Sequence, residues 1–177
     1  MIRAARAEDI DSVVNIYNQA IDAGFQTAFT ERFSVAERME WFQQHLGGRY
    51  PLFVYTDDGD VVGWFSISPY RPGREALNST IEISYFVDND HQKKGIGSQL
   101  MKFGLAAARE LGYKTAVAII LDKNAGSVAL LKRSGFEQWG YLPVWQCLMG
   151  KSAATSITAQ SFKAYTGYTS QFNSQST

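Results

Sequence analysis

The chain has 177 residues, enough for one domain with a sizeable core, and its seventeen basic and seventeen acidic residues cancel to a formal net charge of zero. That balance excludes a global electrostatic draw toward nucleic acid or an anionic membrane, so any anion binding must come from local patches. A single cysteine, Cys147, excludes an internal disulfide, and two histidines, His45 and His91, are too few for a usual zinc site; no metal is expected, and the expected compartment is a reducing cytoplasm.

The opening Met1–Arg6 stretch runs into Glu8 and Asp9 instead of an apolar signal core, and no later run has the length of a bilayer span, so neither export nor a membrane partner is expected. Residues 8–22 place Ile10, Val13, Val14, Tyr17 and Ile21 at helical spacing, with Asp9 and Asp11 in the opening turn. A second helix is predicted from Ser34, whose partner Glu37 three residues on makes a capping box, through Trp41, Phe42 and Leu46 to the Gly47-Gly48 stop. Between the two lies an aromatic-rich loop from Gly24 to Thr30.

Leu52 to Tyr55 and Val61 to Ile67 are β-rich runs joined by Asp57-Asp58-Gly59-Asp60, which carries hairpin turn chemistry. Ser79 to Val87 gives a third strand. The helix from Gly97 to Leu111 is predicted to turn Leu100, Phe103, Gly104, Ala107 and Leu111 inward, and Gly112 ends it. Ala116 to Leu121 is wholly apolar, as a strand covered on both faces would be. A further helix spans Ser127 to Arg133, and Glu137 to Leu142 is a candidate strand. The alternation from residue 79 onward argues α/β organisation. From Lys151 the composition shifts to Ser, Thr, Gln and Ala with scattered aromatics, which favours a disordered tail.

Gln92-Lys93-Lys94-Gly95-Ile96-Gly97-Ser98 sits between a strand and a helix N-terminus. Glycines permit close approach of a ligand to the backbone, and the first helical turn leaves N–H groups that suit a pyrophosphate. A dinucleotide fingerprint would need glycine at Leu100, and a Walker-type loop would need Lys before its Ser or Thr where Gly97 stands. What remains, Gln-x-x-Gly-x-Gly after a strand, resembles the acetyl-CoA pyrophosphate loop of the GNAT N-acetyltransferase superfamily. Asn124-Ala125-Gly126-Ser127 followed by Gly135-Phe136 matches the spacing of the same superfamily's cofactor-proximal helix. Thr80-Ile81-Glu82, the Trp41-Phe42 helix and the Phe25–Phe29 loop are similar to the branch acetylating phosphinothricin and methionine sulfoximine or sulfone.

An amino-acid acceptor arrives as an ammonium and must lose a proton before attacking a thioester, so a base is needed. Strand alternation sets Glu82 on one face with Thr80 and Ser84, opposite Ile81 and Ile83; by itself this describes a solvent-facing glutamate, and with the resemblance it describes the base.

The resemblance implies a mixed, mostly antiparallel sheet flanked by helices, α/β in the α+β sense, with a strand pair splayed at the acetyl-CoA site. With the change of composition at Lys151, a domain is expected over residues 1–150 and a polar tail over 151–177, while the resemblance itself covers roughly residues 1–142. It gives Tyr85, Phe86 and Val87 to the oxyanion and pantetheine contacts. Gln92 stands at the loop entrance, and Lys93, Lys94, Gly95, Ile96, Gly97 and Ser98 line the pyrophosphate, the lysines mainly through their amides. Asn124 either bonds the pantetheine arm or caps its helix, or both. Ser127 joins it, and Arg133 reaches the phosphates or complements the helix dipole. For the acceptor it points to Glu75, Ala76, Leu77, Phe29 and Arg71, with Arg74 also near. His91 is read as structural or solvated, His45 as a helix-dipole partner, and Cys147 as no nucleophile.

Two departures stand out. Where many relatives carry a tyrosine or histidine seven residues after the asparagine, this chain has Leu131. After Pro143 the relatives' last loop and strand are not recognisable, which predicts a missing or rebuilt pocket wall and weakens any homodimer resting on it. The function implied is direct acetyl transfer from acetyl-CoA to a small amino acid or analogue, with a CoA-binding sensor as the alternative.

Overall fold

A computed structural model describes residues 1–148 and 151–162. Strand β1 (Ile2–Ala4) leads through one 3-10 turn into helix α1 (Ile10–Ala23), and α2 (Val35–Gln44) follows. The Ser34 capping box forms as predicted: the Ser34 amide donates to Glu37 Oε2 at 2.7 Å, and Ser34 Oγ accepts from the Glu37 amide at 3.3 Å. Ahead of α1, Asp9 does more than complement a dipole. Its buried carboxylate accepts from Arg3 Nη1 and Nη2 at 2.7 and 2.8 Å and from the Arg6 amide at 2.7 Å, tying β1 to the helix start.

β2 (Leu52–Asp57) and β3 (Asp60–Pro69) form the predicted hairpin, whose turn residues Asp58 and Gly59 both have positive φ. β4 (Thr80–Val87), α3 (Ile96–Glu110), β5 (Thr115–Leu121), α4 (Ala125–Arg133), β6 (Glu137–Leu148) and β7 (Lys151–Ser161) complete the chain. The strands make one sheet in the order β1-β2-β3-β4-β5-β7-β6, antiparallel at every step but the parallel β4–β5 pair. Both faces are covered. Ile81, Ile83, Phe65 and Ala116 pack under α3 and α4, while Leu52, Val54 and Trp64 pack against α1 and α2.

Three expectations are corrected. The buried stripe of α3 is Ile96, Leu100, Met101, Gly104, Leu105 and Ala108. Phe103 and Leu111 stay largely exposed, because Gly104 seats the helix so close to the sheet that a Cβ there would lie 2.3 Å from the Phe65 ring, and that contact sets the rotation. Ile119 of β5 is exposed, so that strand is not covered on both faces along its length. Residues 151–161 are not a disordered tail: they form β7, an inner strand paired with β5 from Thr115 to Leu121 and with β6 on its other side, so the boundary expected at residue 150 falls within a hairpin. A strand therefore does follow Pro143, where the relatives' pattern is not recognisable in the sequence. Its polar composition concealed it because ladder hydrogen bonds come from the backbone, and its inward positions, Ala153, Ala154, Thr155 and Ala159, need only be small. The remaining tail, residues 163–177, lies outside the described residues.

Candidate active site

β4 and β5 pair only where Thr80–Glu82 meet Thr115–Val117. Beyond Glu82, β4 stays with β3 to Val87 while β5 stays with β7 to Leu121, so the two strands part and the backbone of residues 83–87 loses its neighbour on one side. The wedge is the predicted splay. It leaves strand-edge N–H and C=O groups facing a cleft, where an extended ligand can satisfy them.

A groove of about 440 Å³ opens from this wedge, lined by Tyr85, Phe86 and Val87 of β4, by Gln92, Lys93, Gly95, Ile96, Gly97 and Ser98 of the following loop and helix start, and by Asn124, Ser127 and Arg133 at α4. The structure thus brings together every residue expected to hold the donor except Lys94, which does not line the groove. His91, Gln26, Gly126 and Leu130 line it as well. Gln26 comes from the α1–α2 loop, whose neighbouring Phe25 packs on Leu121 and Ala153 across the far side of the wedge. Sequence reading missed Gln26 because that packing joins segments far apart in the chain.

The loop is held open by its own chemistry. Lys93 and Gly95 have φ of 61° and 82°, the left-handed region that turns successive amides toward one side. Gly95 caps α3 without any side-chain bond, and the first turn contains no acid, so its free amides and dipole face the groove. Gln19 on α1 clamps the loop: its Nε2 donates to Asp88 Oδ2 at 2.8 Å and its Oε1 accepts from the Asn89 amide at 2.9 Å. His91 Nδ1 lies 2.8 Å from Asp88 Oδ1, which fits the structural role expected of it. Burial opposes the charge on Asp88, but His91, Gln19 and the Asp90 amide overcome it and hold the carboxyl below its usual range.

At α4, Asn124 Oδ1 accepts from the Ser127 amide at 3.1 Å, so it is an N-cap, and its side-chain NH₂ remains to serve a ligand. Leu131 is buried in the core at 1 % exposure and carries no proton. The Tyr85 hydroxyl is buried with no hydrogen bond of sound geometry. Burial pushes it up to about 12, with Ser127 beside it offsetting part of the effect.

The other face of β4 carries charge. Glu82, opposite Ser68 on β3 and Val117 on β5, is half-buried and makes no ion pair among the described residues; burial alone raises its carboxyl. Phe86 on the same face meets Tyr17 at 4.9 Å between ring centroids, and Tyr17 in turn meets Phe29, Phe33 and Trp64. Over this cluster lies Arg38, its guanidinium 5.0 Å from the Tyr17 ring, 4.7 Å from Phe33 and 4.4 Å from Trp41, with Nε buried and unbonded. Burial lowers the Arg38 pKa, and Tyr17 senses both charges: burial raises its hydroxyl, Arg38 lowers it and Glu82 raises it. Arg38 was missed because it falls on a helix face that reads as solvated. Its two near aromatic neighbours in sequence, Trp41 at i+3 and Phe33 at i−5, were the available signal.

His45 is buried beneath this face. Nδ1 donates to the Trp41 carbonyl at 2.8 Å and Nε2 is 3.1 Å from Ser68 Oγ, which donates to it. Burial lowers its pKa and keeps it neutral, so it satisfies a helix-end carbonyl as a hydrogen-bond donor rather than complementing the dipole as a cation. Of the expected acceptor residues, Phe29 belongs to the aromatic cluster. Glu75, Ala76 and Leu77 form one 3-10 turn before β4, of which Leu77 is half-buried, and Arg71 is exposed beside the Tyr70 ring. The side chain of Cys147 lies outside the described residues.

Residues 15–136 match the Acetyltransferase (GNAT) family, and the chain belongs to it. It is 37 % identical over 145 residues to the L-methionine sulfoximine/L-methionine sulfone acetyltransferase of Pseudomonas aeruginosa, covering 80 % of this chain and 83 % of that one. It is 32 % identical over 141 residues to the phosphinothricin N-acetyltransferase of Streptomyces viridochromogenes, covering 80 % and 76 %. Among solved structures, a GNAT superfamily phosphinothricin acetyltransferase from Sinorhizobium meliloti in complex with acetyl-CoA superposes with a TM-score of 0.86 at 28 % identity, over 91 % of this chain and 87 % of that one.

Proposed function

As a member of the GNAT family, the chain is an acetyl-CoA-dependent N-acetyltransferase, and we propose that its acceptor is the amine of a small amino acid or amino-acid analogue of the methionine sulfoximine and phosphinothricin type. The observation that carries this reading is a donor groove and an unpaired carboxylate meeting at one strand, β4.

Acetyl-CoA supplies an activated acetyl thioester. The free amides of Gly95, Ile96, Gly97 and Ser98 suit its pyrophosphate, with Gln92, Lys93 and Lys94 at the loop and Arg133 at the rim. The unpaired edge of Tyr85, Phe86 and Val87 suits the pantetheine amides, together with the Asn124 NH₂ and Ser127, and an edge amide of β4 would donate to the oxygen on which charge develops. A second groove of about 360 Å³ shares Ser98, Leu130 and Arg133 and adds Lys102 and Arg109, a basic continuation for the phosphorylated end of CoA.

Glu82 takes the proton of the attacking amine. Its raised carboxyl makes it a stronger base than an exposed glutamate. A half-buried arginine with no anionic partner among the described residues favours Arg38 as the carboxylate's partner, with Phe29 and Tyr17 walling the side chain. Arg71 and the Glu75-Ala76-Leu77 turn stand at the open rim as the outer part of the acceptor site. Cytoplasmic residence and a homodimer belong to the same reading, supported by the lone cysteine and by exposed Ile119, Trp139 and Tyr141 on β5 and β6. Thiol release from acetyl-CoA across L-methionine sulfone, L-methionine sulfoximine, phosphinothricin and ordinary amino acids tests the substrate. Tight CoA binding with no turnover on any of them would leave a CoA-binding sensor in its place.

A further inference from the structure

Breaking the thioester leaves an electron pair on sulfur, and the sequence offers no proton at Leu131, whose side chain is locked in the core. Tyr85, which lines the groove, nevertheless carries an unexplained polar atom buried at the groove wall. Tyr85 sits three residues past Glu82 on β4, beyond the point where β5 departs, and its side chain points to the α3–α4 side, packed against the core there. Its hydroxyl is buried without a sound hydrogen bond, although phenylalanine would fill the same space without leaving a donor unsatisfied. Ser127 lies beside it, and Ser127 is one helical turn before Leu131 on the same face of α4. A hydroxyl delivered by the strand therefore arrives where the helix supplies none.

We infer that Tyr85 is a catalytic residue whose O–H donates a hydrogen bond to the departing CoA sulfur. This rests on the acetyl-transfer reading of the groove. As the C–N bond forms, Glu82 takes a proton from the amine nitrogen; as the C–S bond breaks, its electron pair stays on sulfur, stabilised by the Tyr85 donor. The phenol keeps its own proton, because burial holds it near 12 and a thiol of ordinary pKa about 8.5 is the far stronger acid. The thiolate takes its proton from water on release.

Tyr85→Phe tests this by three readouts on wild type and variant together. A catalytic hydroxyl predicts kcat lower by about 100-fold, the low end for loss of one transition-state donor, with KM for acetyl-CoA within roughly 3-fold. Because the hydroxyl has no partner in the free protein, the variant should melt at or above the wild-type temperature. CoA bound to the wild type should titrate, by its ultraviolet thiolate absorbance, at a lower pH than CoA bound to the variant. Equal kcat, or equal thiol titration, would overturn the role of Tyr85 while leaving acetyl transfer intact. A variant melting well below wild type would overturn it in favour of a structural hydroxyl. Failure of the wild type itself to turn over would instead remove the functional reading beneath it.

Discussion

The two sides of β4 meet ligands by different physics. Toward α3 and α4, the groove offers main-chain amides, an Asn124 amide and a phenol, largely uncharged donors fixed by local backbone geometry. Toward α1 and α2, it offers Glu82 and Arg38, two half-buried charges from separate segments that find no counter-ion among the described residues. Amides oriented by a helix start are already paid for by the fold, whereas unpaired charges stay unfavourable until a zwitterionic ligand compensates them. Donor binding and acceptor chemistry should therefore separate under mutation.

The largest separation is expected for Glu82→Gln. Transfer at neutral pH should fall by roughly 100-fold to 1,000-fold with acetyl-CoA affinity unchanged, measured by steady-state kinetics and calorimetry. The acidic limb of the wild-type rate should lie above the ordinary carboxylate range and vanish in the variant. The same raised carboxyl means that the folded chain holds its proton more tightly than the unfolded one. Stability is therefore lost as pH rises from the ordinary carboxylate value through the raised one, and the variant should be at least as stable as wild type at neutral pH. A large loss of CoA binding in this variant would break the comparison.

Arg38→Ala should raise KM for amino-acid acceptors by about 10-fold to 100-fold, the worth of one or two charge-assisted hydrogen bonds, and leave KM for a matching amine without the carboxylate unchanged. Equal effects on both acceptors would mean that Arg38 only packs the aromatic cluster. On the donor side, Gly95→Ala places a Cβ at φ 82°, costing about 1–2 kcal/mol. Acetyl-CoA should bind about 10-fold more weakly while the acceptor KM holds. Gln19→Ala removes the loop clamp without touching the groove, and a smaller loss of about 3-fold in acetyl-CoA affinity is expected by titration.

The donor side was legible because its signal is contiguous: Gln92 to Ser98 must follow a strand and open a helix, and Asn124 to Ser127 must open another. The Ser34–Glu37 box and the Asp58-Gly59 turn were readable for the same reason. Arg38, Gln19, Gln26 and the orphaned Tyr85 hydroxyl were not, since each acquires its meaning from a partner, or the lack of one, far away in the chain. The α3 stripe was misjudged because periodicity gives a face only to within one position, and the close approach at Gly104 chose among them.

By itself the sequence determined the glycine turn, the helix start and the face of β4 that Glu82 shares with Thr80 and Ser84, because those depend on φ preferences, caps and strand alternation within a few residues. Tertiary structure alone decided that a polar segment becomes the inner strand β7, that β4 and β5 part after Glu82, and that Arg38 stands unpaired over a ring cluster. Those outcomes depend on ladder pairing and desolvation between distant segments, which no local pattern encodes.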